Sequence, residues 1–413
     1  MKLTEDLVTG NKAAAIAVKL CNVDYIPAYP ITPQTEIIEI LSRWVLEKKL
    51  DAKFVMFESE HSMVTAAGAA SLSGVRTFTA TSSQGLLYAT EMLYNVVGWR
   101  SPFVLANVSR GVSSPITLLP DHNDVLSIRD TGFIQIHAET CQDVLDSIIM
   151  GYRISEDPMV NIPVLVNLDG FYLSYTREKV DIPDSNYVSE FLPEYIPVSG
   201  YINAKNASSL GVAVLDSSAY SYFRYQLHLT TLNVLKMYGD VSKNFEKIFG
   251  RKYDLLEGYM LDDADYVIVI TNSFSTIAKE AVDRLRKEYG KNVGLLKIRM
   301  IRPFPSDDIW KKLAGKKGVA VIDQNISVGG GGILYPEIVS SLYNKDERPE
   351  TILSFIGGLG GKKITFSEFR YIISVLEEAV KGNPPISKTM LLFTENDWNT
   401  VKDMLKMSGK EVE

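Results

Sequence analysis

Residues 75–109, VRTFTATSSQGLLYATEMLYNVVGWRSPFVLANVS, contain the alternation that decides the fold. Two apolar runs, VRTFTAT and PFVLANVS, lie on either side of a helical stretch, and polar residues follow each run. Between Asp24 and Asp169 the same arrangement recurs with the runs DYIPAYP, AKFVMFE and IPVLVNLD. Near-continuous apolar strands separated by helices are typical of a parallel sheet that is covered on both faces. The sequence therefore predicts an α/β domain.

The second half of the chain repeats this alternation after an irregular segment rich in Pro, Tyr and Ser. We expect four parts: a sheet domain over 1–185, a connector over 186–258 with a helix near 221–238, a second domain over 259–365 and a helical tail over 366–413. A chain of 413 residues is long enough for two domains. The predicted fold class is α/β, with mainly parallel sheets flanked by helices in both domains.

The composition excludes several kinds of partner and site. The 50 acidic and 43 basic residues are scattered, with a net charge of −7 and no Lys/Arg-rich run, so we expect no nucleic-acid partner. The N-terminus lacks the form of a signal peptide and no apolar run approaches ~18 residues, which predicts a cytoplasmic protein without membrane contact. Two cysteines, Cys21 and Cys141, cannot supply a four-cysteine cluster, and the four histidines lack zinc-helix spacing, so we expect no metal site on this chain.

Polar segments follow four of the predicted strands: YPITP, ESEHS, TSSQG and SRGVSSP. Ligands of open α/β sheets bind outside the carboxyl ends of the strands, so one crevice can collect all four segments. In the first segment Thr32 is placed to cap the following helix, and Pro33 suits its first position.

These segments also carry a family resemblance. Together with RDTG, NLDGF, RMIRPFP, VIDQNISVGGGG and GGLGGKKIT, they resemble the α subunit of the pyruvate:ferredoxin oxidoreductases, within the 2-oxoacid:acceptor oxidoreductases. The match covers most of Gly10–Phe171 and Asp265–Thr365. The resemblance implies a pyrimidine-binding domain for thiamine diphosphate and a domain like the C-terminal domain of transketolase.

The resemblance also implies an activity and partners. Enzymes of this family decarboxylate pyruvate or a related 2-oxo acid oxidatively, form acyl-CoA from coenzyme A, and pass electrons through [4Fe-4S] clusters to ferredoxin. Thiamine diphosphate is shared with a β subunit that holds the diphosphate and Mg²⁺, while γ and cluster-bearing δ subunits complete the assembly. No Gly-Asp-Gly motif followed by paired Asn occurs in this chain, which agrees with that division.

Glu60 matches the family's glutamate that shares a proton with ring nitrogen N1′ of the cofactor. A carboxyl group whose pKa is raised by burial suits this task. Glu58 is the alternative, because it lies two residues away on the same side of an extended tip. Either acid could instead cap the helix that follows, where negative charge is favoured. The resemblance places Tyr29 and Pro30 against the cofactor.

Arg110 and Thr32 match the family's residues for the substrate carboxylate. The alternative for Arg110 is an ion pair with Asp121 or Asp124, and the alternative for Thr32 is the helix cap. Pyruvate enzymes of this family commonly read Asn-Arg-Ala where this chain has Ser-Arg-Gly. Pyruvate is the first expected substrate, and larger branched-chain 2-oxo acids are the alternative.

Two other functions compete with this interpretation. One is a thiamine-dependent decarboxylase or transketolase-type component, and the other is a noncatalytic scaffold subunit of the same assembly. The missing diphosphate motif argues against a self-sufficient thiamine enzyme. The presence of Glu60, Thr32 and Arg110 argues against the scaffold.

Overall fold

A computed structural model describes residues 3–197, 205 and 209–410. These residues divide into two compact units. Unit 1 takes in the chain up to Glu257 together with Thr271–Ser275 and Lys297–Asp308. Unit 2 takes in Gly258–Ile270, Thr276–Leu296 and the chain from Ile309 onward.

Strands and helices alternate along most of the described chain. The elements up to the end of the connector are β1 (Leu3–Thr9), α1 (Gly10–Leu20), β2 (Tyr25–Ala28), α2 (Thr35–Leu46), β3 (Lys53–Met56), α3 (Glu60–Leu72), β4 (Phe78–Thr81), α4 (Ser83–Tyr88), α5 (Thr90–Gly98), β5 (Val104–Ser109), α6 (Asn123–Ser127), β6 (Ile134–His137), α7 (Cys141–Ser155), β7 (Val164–Asp169), β8 (Arg177–Pro183), α8 (Ser185–Phe191) and α9 (Ser217–Phe249). The elements that follow are β9 (Leu256–Tyr259), β10 (Tyr266–Ile270), α10 (Phe274–Tyr289), β11 (Val293–Ile298), β12 (Met300–Arg302), α11 (Ser306–Leu313), β13 (Gly318–Asp323), α12 (Leu334–Leu342), β14 (Thr351–Ile356), α13 (Phe366–Val380), β15 (Thr389–Leu391) and α14 (Glu395–Met407).

The main sheet of unit 1 has the strand order β12-β6-β7-β5-β4. β4, β5, β7 and β6 run parallel, and β12 is antiparallel to β6. The parallel pair β2-β3 continues this sheet, because a bridge joins Tyr25 to Thr77 just before β4. Every residue of β4, β5, β6 and β7 is buried, as expected for parallel strands that are covered on both faces. The predicted parallel α/β sheet is confirmed.

The strand β3 differs from its prediction as a buried strand. It pairs with β2 along one edge only, and its residues are half-buried or exposed. An apolar run therefore marked a strand correctly but did not reveal that the strand lies at the edge of the sheet.

The predicted start of the helix α2 is wrong. Thr32 was expected as its cap and Pro33 as its first residue, yet α2 begins at Thr35 with Gln34 at the N-cap position. The Gln34 side chain is fully buried, and its Nε2 donates a hydrogen bond of 2.7 Å to the carbonyl oxygen of Tyr29. This hydrogen bond closes the segment into a turn ahead of the helix, so the Thr32 hydroxyl has no helix end to cap.

A buried ionic network ties α7 to the segment Lys297–Asp308 and to the connector helix, all within unit 1. The Arg299 side chain is 1% exposed, and its guanidinium is paired with the carboxylate of Asp143. It also donates to Ser147 Oγ at 2.8 Å and to the Tyr238 hydroxyl at 3.1 Å. Burial alone would lower the pKa of Arg299, but the Asp143 carboxylate raises it above the ordinary value. The network thus holds α7, α9 and the segment around Arg299 together within unit 1.

Unit 2 contains a second sheet with the strand order β15-β14-β13-β10-β11-β9. Parallel pairing links β10, β13, β14 and β15. The strand β15 lies within 366–413, the predicted helical tail, so this part of the chain also adds a strand to the sheet. Thr365 and Glu368 form the capping box of α13. In the part of the chain described here, no helix combines the length and apolar character needed to cross a membrane.

Candidate active site

The four polar segments leave the carboxyl ends of β2, β3, β4 and β5 in unit 1, as predicted. Contacts around Gly170, which follows β7, show how two of them meet. A Cβ placed on Gly170 would lie 2.6 Å from the Ser109 carbonyl oxygen and 2.9 Å from Pro33 Cγ. The segment that contains Thr32 therefore lies beside the end of β5, next to Arg110.

Glu60 is the first residue of α3, and its side chain is buried, with the residue only 5% exposed. Its Oε1 lies against Gly85 in α4, close to the Thr81 hydroxyl. Burial raises the pKa of Glu60, and a hydrogen bond from its own backbone N–H opposes that rise. No positively charged group contributes to the shift. Burial of the side chain thus disfavours the ionised form of Glu60.

Hydrogen bonds within the ESEHS segment show which residue caps α3 and where the Glu58 side chain lies. Ser59, and neither glutamate, is the N-cap of α3, because its hydroxyl accepts from the backbone N–H of Ser62 at 3.2 Å. Glu58 is exposed and accepts a hydrogen bond from the Ser62 hydroxyl, which lowers the pKa of Glu58. Glu58 therefore faces solvent as a charged group, while Glu60 faces the interior.

Arg110 follows β5 and is 7% exposed. Its Nη2 donates to Gln84 Oε1 at 3.1 Å, while its Nε has no acceptor among the described residues. Burial lowers the pKa of Arg110, and the charge of Asp124 opposes that shift. The alternative of an ion pair with Asp121 or Asp124 is wrong for the guanidinium, since its side-chain partner is a neutral amide. A buried cation with spare donors is suited to bind a carboxylate.

Asp124 organises the strand ends around Arg110, a role that the sequence did not reveal. Its Oδ2 accepts from the backbone N–H of Ser83 at 3.0 Å, from the Asn107 amide at 3.1 Å and from the Arg110 backbone N–H at 3.4 Å. Its Oδ1 accepts from the Ser109 hydroxyl at 2.5 Å. Burial raises the pKa of Asp124, and these hydrogen bonds oppose the rise. The carboxylate thereby ties the ends of β4 and β5 together.

Thr32, Tyr29 and Pro30 lie in the turn between β2 and α2. Thr32 and Pro30 are exposed and Tyr29 is half-buried, so all three are accessible to a ligand from the strand ends. Among the described residues, two buried hydroxyls at the end of β4, those of Thr81 and Ser82, have no hydrogen-bond partner. Unpartnered buried hydroxyls beside an uncompensated carboxyl group fit a polar heterocycle that both donates and accepts hydrogen bonds.

A second cluster of buried polar side chains lies at the ends of β6 and β7. His122 Nε2 is 2.8 Å from Asp169 Oδ1, and Asp169 also accepts from the Ser273 backbone N–H at 3.1 Å. Burial alone would lower the pKa of His122, but the Asp169 carboxylate raises it. Burial lowers the pKa of His137 to about 3, and His137 Nδ1 donates a hydrogen bond to the Asn272 amide oxygen. The pairing of His122 with Asp169 joins two motifs that are far apart in sequence.

Within residues 3–197 and 209–410, no group of three or more His, Cys, Asp or Glu side chains could hold a metal ion. Both cysteines are buried, and burial raises the pKa of each thiol. The candidate site of this chain therefore consists of a protonatable carboxyl group, an arginine and hydroxyl groups.

Comparison with known protein families matches both units. Residues 16–239 match the thiamine-diphosphate-binding domain of the pyruvate flavodoxin/ferredoxin oxidoreductases, and residues 264–369 match core domain II of pyruvate:ferredoxin oxidoreductase. The chain belongs to the pyruvate:ferredoxin oxidoreductase family. The family that the sequence motifs resemble is thus confirmed.

Several members of this family are similar over nearly their whole length. The pyruvate synthase subunit PorA of Methanocaldococcus jannaschii is 43% identical over 377 residues, which are 90% of this chain and 95% of PorA. The ketoisovalerate oxidoreductase subunit VorA of Pyrococcus abyssi is 38% identical over 92% of this chain and 95% of VorA. Both are subunits of oxidoreductase assemblies, so relatives of this chain work with partner subunits.

Solved structures support the fold. The 2-oxoglutarate:ferredoxin oxidoreductase from Magnetococcus marinus, with 2-oxoglutarate, coenzyme A and succinyl-CoA bound, matches with a TM-score of 0.68 and 20% identity. The match covers 91% of this chain and 65% of that chain. An inactive tetramer of a split-gene transketolase matches with a TM-score of 0.54 and 12% identity, over 91% of this chain and 98% of that one. The mainly parallel α/β architecture of this family is confirmed.

Proposed function

We propose that this chain is the α subunit of a 2-oxoacid:ferredoxin oxidoreductase and supplies Glu60 to thiamine diphosphate and Arg110 to the substrate. One observation carries the proposal: Glu60 is buried at the strand ends without a cationic partner, and burial raises its pKa. A carboxyl group that is costly to ionise holds its proton for a ligand atom that can share it.

Glu60 would hold a proton at ring nitrogen N1′ of the cofactor. When bound, thiamine diphosphate supplies the carbon nucleophile that attacks the 2-oxo carbon and the electron sink for loss of CO₂. The Glu60 carboxyl group lies against Gly85 and near the Thr81 hydroxyl, which restricts its movement. Tyr29 and Pro30, in the turn after β2, would contact the same ring.

Arg110 and Thr32 would bind the carboxylate of the 2-oxo acid. Arg110 has an unused Nε donor, and its guanidinium is partnered by a neutral amide, so its positive charge is available to the substrate. The exposed Thr32 hydroxyl lies in the segment beside the end of β5. The pair would hold the carboxylate in place until it leaves as CO₂.

Pyruvate is the proposed substrate, and a branched-chain 2-oxo acid is the second candidate. PorA relatives are named for pyruvate synthase, and VorA relatives, at 38% and 39% identity, for ketoisovalerate oxidoreductase. Gly111 does not leave free space beside Arg110, because the Thr117 side chain fills the position that a Cβ would take. The second candidate therefore rests on the VorA relatives and on the Ser-Arg-Gly sequence around Arg110.

The remaining components would come from other chains or from solution. We propose a β subunit that holds the diphosphate through Mg²⁺, γ and δ subunits with the [4Fe-4S] clusters on the δ subunit, coenzyme A as co-substrate and ferredoxin as acceptor, all in the cytoplasm. The sequence supports this placement, because it has no Gly-Asp-Gly motif followed by paired Asn for the diphosphate and Mg²⁺, and its two cysteines are too few for a [4Fe-4S] cluster.

Matched variants of the two glutamates test the proposal in the complex purified with its partner subunits. CoA-dependent reduction of a low-potential dye with pyruvate should fall by about 10²-fold or more in Glu60→Gln, because an essential proton partner is lost. Glu58→Gln changes the same residue type two positions away on the solvent side, and its turnover should stay close to that of the wild type. Equal turnover in both variants, with cofactor bound, would refute the assignment of Glu60.

A further inference from the structure

The carboxamide of Gln84, in the first turn of α4, connects Arg110 to the segments on either side of it. Gln84 Oε1 accepts from Arg110 Nη2 at 3.1 Å and from the Ser83 hydroxyl at 2.7 Å. Gln84 Nε2 donates to Ser113 Oγ at 2.8 Å, in the loop that follows Arg110. Two of these three contacts thus join Gln84 to Arg110 and to the loop that follows it, and the third is made with the adjacent Ser83.

Gln84 is an unusual partner for a buried arginine, because its carboxamide carries no charge. A buried arginine is usually paired with a carboxylate. Here the nearby carboxylate of Asp124 accepts from backbone and neutral side-chain donors and from the Arg110 backbone N–H, but not from the guanidinium. The neutral amide of Gln84 fixes the direction of the guanidinium without cancelling its charge.

We infer that Gln84 is a positioning residue that holds the Arg110 guanidinium in a fixed direction without forming an ion pair with it, so that the cation can capture the carboxylate of the 2-oxo acid. This inference rests on the proposed function. Gln84 itself does not touch the substrate, and it acts through Arg110 and through the Ser113 contact that holds the following loop. A carboxylate at position 84 would instead form an ion pair with Arg110 and compete with the substrate for it.

Two variants in the complex with its partner subunits separate positioning from space filling. Gln84→Ala removes the acceptor, and KM for pyruvate should rise about tenfold because a hydrogen bond to a charged group is lost. Gln84→Glu keeps the size and shape of the side chain but adds a charge, so KM should rise more than in Gln84→Ala. In both variants kcat should change less than KM, since the groups that act on the bound substrate are unchanged.

A binding measurement complements the kinetics. The dissociation constant of oxamate, an unreactive isostere of pyruvate, should rise in parallel with KM when it is measured by calorimetry. Gln226→Glu, which adds the same charge on the exposed face of α9, is the matched control and should leave both constants unchanged.

The outcomes separate the two proposals. If the wild-type complex turns over no 2-oxo acid, the proposed function fails. If the wild-type complex is active but Gln84→Glu has wild-type KM and wild-type affinity for oxamate, only the role of Gln84 is refuted, because a space-filling residue tolerates its isostere. If Gln84→Ala gives too little assembled complex, Gln84→Glu alone is sufficient to test the role of Gln84.

Discussion

Replacing Gly85 by alanine places a methyl group against the carboxyl group of Glu60. The Thr81 hydroxyl oxygen lies 2.6 Å from the position of the new Cβ, and Glu60 Oε1 lies closer still. An ordinary van der Waals contact begins at 3.4 Å, so the Glu60 carboxyl group must move by about 1 Å. A misplacement of about 1 Å in a catalytic group costs about 10²-fold in rate. We therefore expect kcat with pyruvate to fall by about this factor in the assembled complex.

The control for this variant is Gly98→Ala, at the end of α5, where a Cβ meets no atom within 4 Å. Alanine is the better helix former by about 1 kcal/mol, so Gly98→Ala should keep its turnover and unfold no more easily than the wild type. Turnover by dye reduction and thermal unfolding would be measured on both variants. Wild-type kcat in Gly85→Ala would contradict the placement of Glu60, whereas a large loss of thermal stability would show that the new methyl group disrupts the fold instead.

Three further predictions follow from the buried charges. Arg299→Met leaves a carboxylate buried without its cation and should lower the free energy of unfolding by about 3–5 kcal/mol. Arg284→Met, in an exposed i,i+4 pair, should cost far less, and comparable losses in denaturant unfolding would contradict the buried pair. Because the folded chain raises the pKa of Glu60, the folded state keeps this proton to a higher pH than the unfolded state. The free energy of unfolding of the wild type relative to Glu60→Gln should therefore decrease as pH rises above about 4.3, and a difference that does not change with pH in denaturant unfolding would contradict the burial of Glu60. Arg110→Lys keeps the charge but loses the planar fork, so KM for every 2-oxo acid should rise several-fold; unchanged KM would place the substrate carboxylate elsewhere.

Much of the fold was predictable because it depends on local pattern. Apolar runs of strand length between helical segments identified the buried strands of unit 1. The start of α2 was not predictable, since Thr32 and Pro33 satisfy every local rule for a helix end. The competing hydrogen bond from Gln34 to Tyr29 depends on how the turn closes in three dimensions.

The candidate site was also predictable only in part from the sequence. Glu60 was identified from its segment, and its burial separates it from Glu58, which no spacing rule could do. The ion pair between Arg110 and Asp124 was a reasonable expectation from sequence distance alone. It is wrong because the carboxylate of Asp124 is already occupied by the ends of β4 and β5, and only the folded sheet brings those donors together.

The helix α4 places two consecutive residues, Gln84 and Gly85, against two different residues of the candidate site. Gln84 contacts Arg110, the group proposed to bind the substrate, and Gly85 contacts Glu60, the group proposed to bind the cofactor. An insertion, deletion or rotation in this single helical turn would therefore displace both Arg110 and Glu60. A change of substrate preference that arose here would also disturb Glu60, the residue proposed to share a proton with the cofactor. We expect laboratory evolution toward larger 2-oxo acids to accept substitutions in the exposed loop after Arg110 and to reject them in the first turn of α4.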